Sequence, residues 1–310
     1  MGNDEKIINK QISVTDIVDI AKYFEERKSE YIRLIEEDEE KNKGLSYKEQ
    51  IYSYKCSLEP AVSYEITFKD NRDIKQTEYD WFITNLSDIS KIKRIIISFR
   101  VSYSDNTMNR ERSIHKSVNS YVVFHEDRVA IRVDGVRIED EVYNEHSKIR
   151  EILEKGEDRY NKTIKNRNIR IQSFCLSIGF VLSYILYFIL NGMKTDLPDI
   201  LISMLDSKYV LIFGQWFVSA ILGNAFGYAI IMSYYKNLLP RSKYSHYSAS
   251  SKKSVYVDDI ANYTNECEVQ IGKNANNGKN REKIEKIYKV TSKIVLVQVL
   301  ISIILFLLLK

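Results

Sequence analysis

Residues 171–190 read IQSFCLSIGFVLSYILYFIL, and residues 209–235 read YVLIFGQWFVSAILGNAFGYAIIMSYY. Neither stretch contains Lys, Arg, Asp or Glu. A helix rises about 1.5 Å per residue and the hydrocarbon core of a bilayer is roughly 30 Å thick, so about twenty apolar residues cross it. Both stretches reach that length. The sequence therefore predicts an integral membrane protein, with the lipid bilayer as a partner of the residues from 171 onward.

A third apolar segment covers residues 294–309. It gives about 24 Å of helix, which is short for a span. Including residues 290–293 restores the length, because Lys293 can extend its ammonium group back to the headgroups. We therefore expect spans at about 171–190, 209–235 and 290–309. The alternative for the third segment is a helix that enters without crossing, or that packs on the other two.

Positive charge around the first two spans predicts the orientation. Lys and Arg near spans are retained on the cytoplasmic side. Such residues precede the first span and follow the second, whereas the connection 191–208 has two lysines set against three aspartates. Residues 1–22 lack the apolar core of a cleavable signal peptide. We expect the inner (plasma) membrane, with the N-terminal domain and a loop at 236–289 in the cytoplasm.

The first 138 residues have the pattern of an α+β domain. Ser13 with Asp16 resembles a capping box that starts a helix. Alternating apolar residues predict strands near 62–68 and 95–101, and a hairpin joins 118–124 to 129–133. The expected order is helix, strand, helix and then antiparallel strands. The predicted fold class is this cytosolic N-terminal domain, joined by a long helix to an α-helical transmembrane region within 171–310.

The joining segment, residues 139–170, is polar and has a helical pattern. A seven-residue repeat, with alternating steps of four and three residues, would place eight positions from Val142 to Arg167 on one seam: 142, 146, 149, 153, 156, 160, 163 and 167. Half of the occupants suit a seam poorly. It is therefore either a solvated connecting helix or a dimerising stalk that passes force to the membrane. In the loop 236–289 we expect a short helix over 258–271 and a flexible stretch over 272–279.

No motif in the chain specifies a reaction, a cofactor or a metal site. Cys56, Cys175 and Cys267 form no ligand pattern. The group His125-Glu126-Asp127 is the nearest approach to a catalytic cluster, but turns carry polar residues in any case. The basic excess of residues 171–310 lies between the second and third apolar segments, so it indicates membrane topology and no nucleic-acid partner. A tethered enzyme is thus the weakest hypothesis.

The spans contain small and amide residues that can bring helices together. Ser219, Gly223 and Gly227 recur every four residues, a spacing that permits close helix approach. An amide in hydrocarbon is costly unless it is hydrogen-bonded. The helix-packing or pore candidates are Gln215, Ser219, Gly223, Asn224, Gly227, Gln298 and Ser302. They are either structural contacts within one subunit or the lining of a polar path in an assembly of several subunits.

Two functional hypotheses follow. In the first, a cytosolic domain senses a ligand or protein and a homo-oligomeric bundle then perturbs the membrane. This layout is similar in outline to bacterial stress or antiphage effectors that pair a sensor with a few spans, which is an analogy of architecture alone. In the second, the protein is a membrane-anchored scaffold or regulatory subunit that forms no pore and binds a cytosolic partner.

Overall fold

The computed structural model describes residues 2–43, 55–105, 114–193, 198, 202–203, 207, 213–236, 238 and 266–308. It has two compact units. The α+β unit comprises residues 1–160 and 240–276, and the helical unit comprises residues 161–239 and 277–310. The chain therefore leaves the α+β unit after residue 160, returns to it by way of two long helices, and leaves it again at Asn277.

An antiparallel sheet of six strands forms the frame of the α+β unit. The strands are β1 Gly2–Ile7, β3 Lys55–Phe68, β4 Asp73–Gln76, β5 Ile92–Asp105, β6 Ile114–His125 and β7 Val129–Val136. Their spatial order is β1-β7-β6-β5-β3-β4. The predicted alternation in β3 and β5 and the predicted β6–β7 hairpin are confirmed. Strand β1 was not predicted, because its sequence, GNDEKI, is mostly polar.

One face of this sheet is covered by helices. These are α1 (Val14–Asn42), α2 (Tyr79–Asn85) and α3 (Glu139–Glu154), with a 3₁₀ turn at Leu86–Lys91. Alternate strand residues such as Tyr64, Phe99 and Val122 have no exposed surface and form one apolar cluster with helix residues such as Phe24. The period of two along the strands places these residues on a single face, where burial of apolar surface holds the layers together.

The start of α1 is fixed by the predicted capping box. The Ser13 backbone N–H donates to Asp16 Oδ2 at 2.7 Å, and the Asp16 N–H donates to Ser13 Oγ at 3.2 Å. Two donors that the first helical turn leaves unpaired are thereby satisfied. This reciprocal pair sets where α1 begins after the short strand β2 (Gln11–Ile12).

The segment 139–170 is not one long helix, which corrects the expected connector. Helix α3 ends at Glu154, a short helix α4 covers Lys162–Lys165, and α5 begins at Arg167. Val142, Ile149 and Leu153 are buried in the core of the α+β unit. Their spacing is that of any amphipathic helix packed on a sheet, so a seven-residue count alone did not distinguish such a helix from a stalk.

The end of the loop 236–289 is also ordered differently from the prediction. Residues 258–265 lie outside the described residues, but Glu268–Val269 form strand β8, parallel to β2. Cys267, Val269 and Ile271 are fully buried and Glu268 is 2 % exposed, so an enclosed strand stands in place of the expected helix. Gly272–Asn274 then form a 3₁₀ turn in place of the expected flexible stretch, and α7 begins at Asn277.

Three long helices make up the helical unit: α5 (Arg167–Gly192), α6 (Gln215–Tyr235) and α7 (Asn277–Leu308). All three are long and apolar enough to cross a membrane, and they fit a membrane location. The first four residues of the predicted second span, 209–212, lie outside the described residues. We refer to α5, α6 and α7 as the span-length helices.

Candidate functional site: the span-length helices and the junction that leads into them

The small residues predicted in the second span face α5 of the same chain. Ser219, Gly223 and Gly227 are buried. A Cβ atom on Gly223 would overlap the carbonyl oxygen of Cys175, and one on Gly179 of α5 would overlap the carbonyl oxygen of Ser219. Backbone therefore lies against backbone, an approach that only small side chains permit.

Most of the predicted polar residues bond to one another across the three helices. Ser183 and Ser219 share a hydrogen bond of 3.0 Å between their hydroxyls. Further bonds run from Gln298 Nε2 to Gln215 Oε1 (3.1 Å), from Tyr184 OH to Gln298 Oε1 (2.9 Å) and from Trp216 Nε1 to Ser302 Oγ (3.0 Å). These bonds satisfy groups that would otherwise be costly in hydrocarbon.

Asn224 is the exception among the predicted residues. It lies midway along α6, is exposed, and forms no hydrogen bond through its side chain with the described residues. Phe217, Ile221 and Tyr228 are 68, 54 and 51 % exposed. With Asn224 they follow a spacing of four, three and four residues, which is the spacing of a helix–helix seam. This uncovered line of four residues is called the Asn224 seam below.

An ion pair joins the beginnings of α5 and α7. Arg170, which is 3 % exposed, lies 2.6 Å from Glu285 Oε1, and its guanidinium stacks 4.9 Å above the ring of Tyr288. The Thr163 hydroxyl donates to the same carboxylate at 2.8 Å. In the sequence, Arg170 is one of the basic residues that precede the first span, and nothing in its neighbourhood indicates a carboxylate partner more than a hundred residues away.

In the α+β unit, the segments that lead into α5 and α7 lie on either side of residues 9–12. On one side, Gln11 N donates to Glu157 O (2.9 Å) and Arg159 N donates to Asn9 O (2.7 Å). On the other, Asn9 N donates to Glu266 O (3.0 Å) and Glu268 N donates to Lys10 O (2.8 Å). We call this three-segment arrangement the junction. Residues 9–12 are thus hydrogen-bonded to both chain segments of the α+β unit that continue into the helical unit.

The turn at His125-Glu126-Asp127 holds the second of these segments in place. Glu126 Oε1 accepts from the Lys273 backbone N–H at 2.9 Å, and the Asn274 amide donates to the Glu126 carbonyl at 2.6 Å. Gly272 has a φ of +57°, and a side chain there would collide with Glu126. Burial would raise the pKa of Glu126, but the bonds and charge of Lys273 outweigh it and lower that pKa.

Another charged cluster lies on the face of the sheet that is covered by helices. Glu145 of α3 is 3 % exposed and accepts from the Tyr23 hydroxyl at 2.7 Å, while Arg27 Nε lies 3.2 Å from the same carboxylate oxygen. Burial raises the pKa of Glu145 in spite of these partners. The cluster ties α1 to α3. Among the described residues, no group of three or more His, Cys, Asp or Glu is arranged to hold a metal ion.

Comparison with protein families, with curated proteins and with solved structures finds no match for this chain. The fold and the helices therefore define only a broad class, that of an α+β protein with three helices that are long and apolar enough to span a membrane.

Proposed function

We propose that this chain is an integral membrane protein whose cytosolic α+β unit senses a ligand or protein and regulates a homo-oligomeric bundle of membrane helices. In this proposal the regulated bundle perturbs the membrane, as a stress or antiphage effector does. The observation that carries it is the junction, because one short segment of the α+β unit is hydrogen-bonded to both chain segments that enter the helical unit.

The division of the chain supports the proposed topology. The α+β unit includes residues from before α5 and from after α6. If α5 crosses the membrane, α6 must therefore cross back. The Lys and Arg residues that flank this pair then favour the cytoplasm for the α+β unit.

The Asn224 seam supports an oligomer. An amide that faces lipid in the middle of a span leaves its donors and acceptor unsatisfied, whereas a second copy of α6 would offer a matching amide. A single Asn in an otherwise apolar seam also fixes register and subunit number in helix assemblies. Exposed Phe217, Ile221 and Tyr228 supply the apolar contacts of such a seam.

A non-pore scaffold or regulatory subunit is the second candidate, and one observation favours it. The polar groups of the span-length helices, other than Asn224, bond largely to one another within the chain. In addition, residues 171–190 and 213–235 contain no Asp, Glu, Lys or Arg that could form a path for ions. A bundle closed in this way suits an anchor.

A paired measurement separates the two candidates. The native mass of the full chain in mild detergent gives the subunit number, and dye release from proteoliposomes gives the membrane activity. For the wild type, or for Glu126→Ala, in which the junction should be looser, we expect a homo-oligomer and dye release. In Asn224→Leu we expect the loss of both the oligomer and the dye release. Phe226→Leu, an exposed residue off the seam, is the matched control. A monomer that releases no dye in either form supports the scaffold.

A further inference from the structure

Among the described residues of the helical unit, charge is concentrated at one end. Residues 161–172 and 277–293 together contain ten Lys and Arg against two Glu. At the other end, the described residues 186–193, 213–220 and 300–308 contain no charged side chain. The basic end includes α4, the first turn and a half of α5 and the start of α7.

Both glutamates of this end are already paired. Glu285 binds Arg170, and Glu282 lies 2.6 Å from Lys286 one turn away. Four exposed lysines close to the apolar segments form no ion pair among the described residues, although the charge of Lys162 also acts on Glu285: Lys162, Lys165, Lys289 and Lys293. We call these four residues the basic collar. The Arg170–Glu285 pair and the Thr163 bond hold α4 and α5 against α7, so the collar lysines are carried by elements that are packed together.

We infer that the basic collar binds the phosphate groups of anionic phospholipids. The charge of the collar is complementary to those headgroups, and its lysines come from the residues just before the apolar part of α7 and from α4, which leads into α5. Each lysine near the membrane surface raises the affinity for an anionic leaflet about fivefold. Their long stems can also cover apolar surface while the ammonium groups reach the phosphates.

The test uses the full chain in nanodiscs of phosphatidylcholine, with and without phosphatidylglycerol. Native mass spectrometry counts the lipids retained on release from the disc. The quadruple variant K162Q/K165Q/K289Q/K293Q is compared with K6Q/K22Q/K75Q/K93Q, which changes four exposed lysines of the α+β unit. Circular dichroism establishes that each variant keeps its helix content.

We expect the wild type and the control to retain phosphatidylglycerol in preference to phosphatidylcholine, and added salt to weaken this preference. The collar variant should bind the anionic lipid at least about tenfold more weakly. Equal retention of the two lipids by the wild type, or unchanged retention by the collar variant, overturns the inference. If the collar variant does not fold, the salt response and lipid preference of the wild type decide it.

The inference rests on the membrane location proposed above, and the two fail in different ways. Recovery of the chain in a membrane-free fraction contradicts the membrane location. A chain that inserts into both kinds of disc but shows no lipid preference contradicts the collar alone.

Discussion

Glu126 and Lys273 are separated by 147 residues in the sequence, yet Glu126 Oε2 lies 2.8 Å from Lys273 Nζ. The first belongs to the turn between β6 and β7, and the second belongs to the segment that runs into α7. Only two residues separate Asn274, which also bonds to Glu126, from the first residue of α7. The β6–β7 turn thus holds the last residues of the α+β unit before α7.

Removing the Glu126 carboxylate should loosen this segment. In Glu126→Ala, the bonds to Lys273 are lost, and a hydrogen bond to a charged group contributes about 1.5–3 kcal/mol, less for one as exposed as this. Cys267 lies in the same segment and is fully buried, with a pKa raised by burial to about 12. We expect a thiol reagent to modify Cys267 about three- to tenfold faster. Glu151→Ala, which removes two exposed ion pairs at α3, with Lys148 and Lys155, is the control. Equal rates in all three proteins would show that Glu126 does not hold the segment.

Acid should loosen the same contact. The pKa of Glu126 is lowered from its ordinary value of 4.5, because the bonds and charge of Lys273 outweigh the effect of burial. A carboxyl group with a lowered pKa in the folded state stabilises that state above its ordinary pKa, and this stabilisation is lost as the pH falls through the lowered value. Hydrogen exchange of residues 266–276, corrected for intrinsic rates, should therefore accelerate below about pH 4.5. In Glu126→Gln this part of the pH dependence should disappear. Its persistence there would assign the effect to another group.

Adding one methyl group at the contact of α5 with α6 should destabilise the helical unit. In Gly179→Ala or Gly223→Ala the new Cβ meets backbone of the facing helix, which cannot move aside cheaply. Overpacking of this kind costs about 1–3 kcal/mol. Thermal unfolding of the full chain in mild detergent should report a lower midpoint for both. Gly192→Ala is a matched control, because no atom lies within 4 Å of its Cβ position. A midpoint as high as that of the control would contradict the close packing.

Breaking the pair of Arg170 and Glu285 should lower the free energy of unfolding more than replacing both residues does. Arg170→Met leaves the carboxylate without its cation, and loss of one partner of a buried pair costs about 3–5 kcal/mol. Glu285 is 38 % exposed at its side chain, so we expect about 2 kcal/mol here. The double change to Met at both positions should recover part of this loss, as measured by thermal unfolding in detergent. Lys286→Met tests an exposed pair on the same helix and should have little effect. No difference between the single and the double variant would argue against direct coupling.

Local sequence patterns predicted the helix cap and four of the strands, because the residues that define these elements lie close together in the chain. The Ser13–Asp16 cap and the alternation of β3, β5, β6 and β7 depend on residues close together in the chain. The length of the apolar runs likewise predicted α5 and α6. Strand β1 was missed because its charged residues pair with α3, as Glu5 does with Arg150 at 3.2 Å, a contact that no local pattern encodes.

The contacts of the candidate site are long-range and could be predicted only in part. The turn at Glu126 was predicted, but its role in holding residues 272–274 depends on a segment that follows two span-length helices. The spacing of Ser219, Gly223 and Gly227 predicted a close helix contact without naming the facing helix. Only the structure identifies Cys175 and Gly179 of α5 as the other side of that contact. It also separates Asn224 from the other polar residues, because exposure depends on which helix covers which face.

The proposed membrane topology can be tested by labelling engineered cysteines on intact cells with a membrane-impermeant maleimide. Gly192, at the end of α5, and Lys148, on α3, are exposed positions that should lie on opposite sides of the membrane. With Gly192→Cys we expect labelling of intact cells, and with Lys148→Cys we expect labelling only after the cells are permeabilised. Labelling of position 148 on intact cells, or recovery of the chain in the supernatant after high-speed centrifugation without detergent, would contradict a cytosolic domain held by three membrane helices.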